Sequence, residues 1–180
     1  AIDELNGSGG TGGIAARAGE TATVATINVN GGTVNAGAGA TLTTLTGYSG
    51  NMNSKAGLTT VNLIGGNAKV EGNITTANLE AGTLTYNGTG TITTCNAQGG
   101  TLDCFRTALA RTITTLNLKP TGGVIYDPDV VTVSTLTSNG NPISISSSNS
   151  VPWQSWRRLR RASPILWVTI QCRNSTNPIR

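Results

Sequence analysis

Chemistry in this chain has few residues to work with. The only concentration of carboxylates is Asp103, Asp127 and Asp129, with Arg106 and Arg111 close in sequence. Paired carboxylates could cleave a glycosidic bond, and an acidic calcium cluster with an arginine base could eliminate across one. Asp127-Pro128-Asp129 reads more simply as a turn, because Pro and Asp both favour one. There is no histidine, which removes His-based Ser or Cys triads and most zinc chemistry. Cys95, Cys104 and Cys172 are too few and too irregular for a disulfide framework or a zinc site. Gly7-Ser8-Gly9-Gly10-Thr11-Gly12 matches the dinucleotide fingerprint in form, but neither the preceding strand nor the following helix that the motif needs is in place. Thr41/Thr43, Thr91/Thr93 and Thr112/Thr114 repeat as Thr-x-Thr, as on ice-binding solenoids, in a rank broken by Ala25, Gly57 and Asn73. Thr is also simply a good strand residue. The expectation is a non-enzymatic protein with no cofactor, no catalytic residue and no metal site.

The elements that must position these residues come from composition and period. With 24 glycines in 180 residues, 11% charged and 37% hydrophobic residues, the chain starves helices and suits strands joined by tight turns. The fold class is all-β. No apolar run reaches the roughly 18 residues that span a bilayer, so no membrane role is expected. Ala1 is what removal of an initiator Met or of a signal peptide would leave, and the compartment stays open.

A repeat then organises the chain. Val24 to Val29, Leu42 to Gly47, Leu58 to Leu63, Ile74 to Leu79, Ile92 to Ala97 and Ile113 to Leu118 share one pattern, with a weaker seventh copy from Val133. The pattern is aliphatic, Thr, Thr, apolar, Asn, apolar. Successive starts lie 18, 16, 16, 18, 21 and 20 residues apart, too short for a strand plus a helix. A second apolar position follows ten residues after each start: Val34, Met52, Ala68, Leu84, Leu102, Gly123 or Val124, and Ile143. Glycine-rich corners such as Gly31-Gly32 and Gly65-Gly66 separate the two.

The architecture predicted is a single parallel β-helix, or β-solenoid, of about seven coils, with non-repetitive terminal segments. Coils stacked at about 4.8 Å make a rod roughly 30 to 35 Å long. First-position aliphatics fill the core. Asn28, Asn62, Asn78, Asn96 and Asn117 should stack into an amide ladder, interrupted by Thr46. Cys95 and Cys104 fall on the two strands of one coil and are expected as buried free thiols.

Residues 1–19 carry a linker composition and read as a flexible N-terminal arm. Residues 20–150 are the solenoid, and 151–180 a basic Trp/Arg-rich segment. The charge divides along the same boundary. Residues 1–150 hold six basic and eight acidic residues, net −2, whereas 151–180 hold six arginines and no acid, net +6. Trp153, Trp156, Arg157, Arg158, Arg160, Arg161 and Trp167 are the candidate partner-binding residues, since Trp and Arg dominate interface hot spots. A cap folded over the last coil is the alternative. Nucleic acid is disfavoured, because the basic charge forms one short cluster and not a face.

On coil length and on its Thr, Asn and Gly usage, the chain over residues 20–148 resembles the β-helix proteins of bacteriophage virions: capsid decoration, fibre and tailspike types. It resembles autotransporter passenger domains less closely. The first resemblance implies a structural virion component, a homotrimer, that acts by shape and by binding partners such as a major capsid protein. The second implies an extracellular or cell-surface adhesin.

Overall fold

The computed structural model describes residues 1–15, 17–126 and 130–138, and the backbone of two short strands at 143–145 and 168–170. Among them there is no helix. The first three coils are each one long strand, β1 (Ile2–Ile14), β2 (Ala22–Ala36) and β3 (Ala40–Ser54). The next four coils each split at the glycine corner into two strands. These are β4 (Leu58–Leu63) with β5 (Asn67–Val70), β6 (Ile74–Leu79) with β7 (Thr83–Tyr86), β8 (Thr91–Ala97) with β9 (Thr101–Asp103), and β10 (Arg111–Leu118) with β11 (Gly123–Ile125). The next strand, β12 (Val131–Ser138), pairs with β10. All these pairings are parallel and join the 12 strands in one sheet. This is a β-solenoid of about seven turns.

Register follows the repeat. Leu42, Leu58, Ile74, Ile92 and Ile113 lie in one file, and Met52, Ala68, Leu84, Leu102 and Val124 in another. Val124, not Gly123, is therefore the second-strand position of its coil. Both files are buried and make up much of the core, each large side chain worth about 1.5 to 3 kcal/mol in burial. Along Leu58–Leu63 positions one, four and six point inward, and two and three both point outward. Strict strand alternation would place position three inside. Here neither Thr59 nor Thr60 is buried, and Thr59 is left out of the ladder on both sides. One Thr file is thus exposed and the other half-buried.

The glycine corner has two independent needs for glycine. Gly66 and Gly82 have φ of 71° and 77°, in the left-handed region that side chains avoid. They also stack: a Cβ on Gly82 would lie 2.1 Å from the Gly66 carbonyl oxygen.

The first coil differs from the sequence reading. Residues 2–14, expected as part of a flexible arm, form β1, with Ile2 opposite Val24, Leu5 opposite Ile27 and Asn6 opposite Asn28. Ile2-Asp3-Glu4-Leu5-Asn6 is thus another copy of the repeat, without its threonines, 22 residues ahead of the next start. At the far end, Ile143–Ile145 (β13) pairs in parallel with Val168–Ile170 (β14), so the C-terminal segment contributes a strand.

Candidate functional site

Five sequence-derived candidates, Asp103, Arg106, Arg111, Cys95 and Cys104, are placed by the structure. Asp103, 6% exposed, accepts the Phe105 backbone N–H at 3.0 Å and Arg106 Nε at 2.8 Å. Arg111, 3% exposed, donates to the carbonyls of Leu109, Thr107 and Tyr86 and to the Thr107 hydroxyl. Its guanidinium lies 5.9 Å from the centre of the Tyr86 ring. These residues pin the 104–110 corner between β9 and β10 by satisfying its backbone groups. Asp127 and Asp129 lie outside the described residues. Cys95 and Cys104 are buried free thiols. Burial is the main force pushing both up to about 12; Cys104 also raises Cys95, while nearby Arg111 lowers Cys104. Among the described residues no three His, Cys, Asp or Glu side chains gather as a metal site, and no helix is long and apolar enough to cross a membrane.

The proposed docking residues Trp153, Trp156, Arg157, Arg158, Arg160, Arg161 and Trp167 lie outside the described residues.

The Asn file forms the expected ladder. Asn78 Nδ2 donates to Asn62 Oδ1 at 2.9 Å, Asn96 to Asn78 at 2.8 Å and Asn117 to Asn96 at 2.8 Å. Each amide donates toward the preceding coil, so the chain of dipoles is aligned and self-reinforcing. A separate short run has Asn28 donating to Asn6 at 3.0 Å and to Glu4 at 2.7 Å. Thr46 stands between the two runs, opposite both Asn28 and Asn62. The Asn62 amide nitrogen, where the main ladder ends, makes no hydrogen bond to the Thr46 hydroxyl in the coil before it.

A groove opens at this break. The two residues after Thr46 also depart from the repeat: Gly47 takes a core position held by Val29 and Leu63 in the flanking coils, and Tyr48 follows it, 48% exposed. The next coil presents Ile64, 42% exposed, and the two after that present Glu80 and Gln98. Backbone N–H groups of Ile64, Glu80, Gln98 and Lys119 each donate to the coil before, which stacks these residues into a seventh file. Lys119 Nζ closes the row on Gln98 Oε1 at 3.4 Å. Tyr48, Ile64, Glu80 and Gln98 form one side of a cavity of about 550 Å³, and Thr46, Asn62 and Asn78 the other. Spanning three coil rises, it is roughly 14 Å long. A second hollow, of about 590 Å³, lies between the 17–21 connection and the second-strand face. Its acids are engaged, Glu20 by the Arg17 backbone N–H and Glu71 by Lys69 at 3.4 Å.

Sequence reasoning passed over the seventh file because repeat alignment rewards sameness, and this file is aromatic, aliphatic, acidic, amide and basic in turn. The usable signal was the run Thr46-Gly47-Tyr48, where one coil breaks the pattern at consecutive positions. No known protein family, no curated protein and no solved structure matches the chain.

Proposed function

We propose that the chain is a structural virion component of the capsid-decoration or fibre type, which acts by shape and protein-protein binding and not by catalysis. The observation that carries this reading is the single parallel sheet of 12 strands with its internal amide ladder. Such a stack satisfies its own backbone groups coil by coil and sets its length by coil number, which suits a rigid spacer or projection. The buried polar residues Asp103 and Arg111 hold a corner in place, which supports a structural role. In this reading residues 151–180, through Trp153, Trp156, Trp167 and the Arg157 to Arg161 cluster, dock the rod to a shell protein such as a major capsid protein, or to its copies in a homotrimer.

The test is mass spectrometry of purified native particles together with a chain lacking residues 151–180. The full chain should be found in the particle at fixed stoichiometry. The truncated chain should keep a β-rich circular dichroism spectrum while losing oligomerisation and particle binding. Unfolding on truncation would make the segment a cap, and undiminished binding would move the interface to the coils.

A further inference from the structure

We infer that the rod stacks end to end, the open first coil of one copy receiving the C-terminal end of a second. The first coil departs from the others in its burial. From Val24 to Ile113, the first-position side chains of the next six coils are at most 5% exposed. Ile2 holds that position in the first coil and is 49% exposed, with Leu5 only half-buried. The cause is β1 itself, which pairs with β2 on one side and with no described strand on the other. An edge of this kind presents a row of backbone donors and acceptors to any strand that can pair with it, here beside an uncovered apolar file.

Polarity, charge and strand direction choose the occupant. Ladder amides donate toward the preceding coil, in the main run and from Asn28 to Asn6 alike. By the same polarity Asn6 offers donors at the open end and calls for acceptors, whereas a second first coil would set donors against donors. Residues 1–20 hold three acids, Asp3, Glu4 and Glu20, and one base, Arg17, net −2, against the +6 of residues 151–180. Two first coils together would oppose acid to acid, and the C-terminal end brings the opposite charge. That segment also already adds a strand to a parallel stack, since β14 pairs in parallel with β13, and among the described strands β14 has no partner on its other edge. Parallel pairing there with β1 carries the stack into the next copy with the direction of the coils kept. The two surfaces differ, so the interface is heterologous and growth does not close, which gives filaments. Nothing in this depends on whether the chain belongs to a virion.

The full chain is followed by sedimentation and electron microscopy over a concentration series, beside two single variants. Ile2→Lys puts a charge where the seam would bury it, and Thr169→Pro spoils the β14 edge. Each alone should raise the concentration needed for assembly roughly tenfold or more. Mixed one to one, they should form dimers and nothing longer, because the intact C-terminal end of the Ile2→Lys chain meets the intact first coil of the Thr169→Pro chain. Misfolding cannot produce that rescue. Asp3→Lys, at an exposed position, should weaken assembly while keeping the wild-type circular dichroism spectrum. A wild-type chain that stays monomeric, or a closed trimer indifferent to Ile2→Lys and Asp3→Lys, overturns the proposal. So does a Thr169→Pro chain that still dimerises by itself, which would pair first coil with first coil, or a mixture that stays monomeric while both variants keep their β-rich spectra.

Discussion

Two neighbouring files of the same rod follow opposite rules. At the fifth position of the repeat, Asn62, Asn78, Asn96 and Asn117 are identical because each must pair with the amide above and below it. Two positions on, Tyr48, Ile64, Glu80 and Gln98 share one backbone register and no side-chain chemistry. In a stack of coils, a file under structural demand becomes uniform, since each coil poses the same problem to the next. A file free of that demand can vary, and variation is what a surface needs to recognise something. The groove arises where the two meet, at the coil in which the uniform file itself fails.

This contrast can be broken at several levels of energy. The largest effect belongs to the inward files and is reached by alkali. Cys95 and Cys104 have folded-state values of about 12, above the unfolded value of about 8.5. Their neutral thiols thus contribute fully below about pH 8.5, and the unfolded chain gains by ionising as pH rises toward 12. Denaturant midpoints should fall across that window, and fall less in a Cys95→Ala/Cys104→Ala chain. An equal fall in both chains would remove the thiols as its cause. Within the same core, Ile92→Ala should cost about 2 to 5 kcal/mol in equilibrium unfolding, through lost burial and the cavity left in a close-packed file.

The ladder comes next. Asn78→Ala should cost about 1 to 3 kcal/mol, because it strands both the Asn62 acceptor and the Asn96 donor. A cost below about 0.5 kcal/mol, the range of ordinary surface changes, would reduce the ladder to a decorated surface. The variable file should be the least sensitive: Tyr48→Ala and Glu80→Ala are expected within about 0.5 kcal/mol of wild type by the same measurement. Larger losses would mean that this file also holds the rod together.

How far the sequence could be read follows the same division. Coil starts, the core file, the Asn ladder and the buried thiols were legible from spacing, because stacking imposes one residue type on many positions. Ile2 to Asn6 escaped because its threonines are replaced by Asp3 and Glu4 and because Gly7 to Gly13 has the composition of a linker. Its place in the stack rests on Ile2, Leu5 and Asn6, which pair in register with Val24, Ile27 and Asn28 of the second coil. Asp103 and Arg111 looked like chemistry by residue type. Only their neighbours, the 104–110 backbone groups, show them to be fasteners.

The most direct test of the ladder as a cooperative element is a double-mutant cycle on Asn78 and Asn96, read by equilibrium denaturation. Bonded neighbours in a polarised chain should be non-additive by more than about 0.5 kcal/mol, the double variant costing less than the sum of the single ones. Strict additivity would mean that each Asn acts alone, and would contradict the account of the file as one continuous ladder.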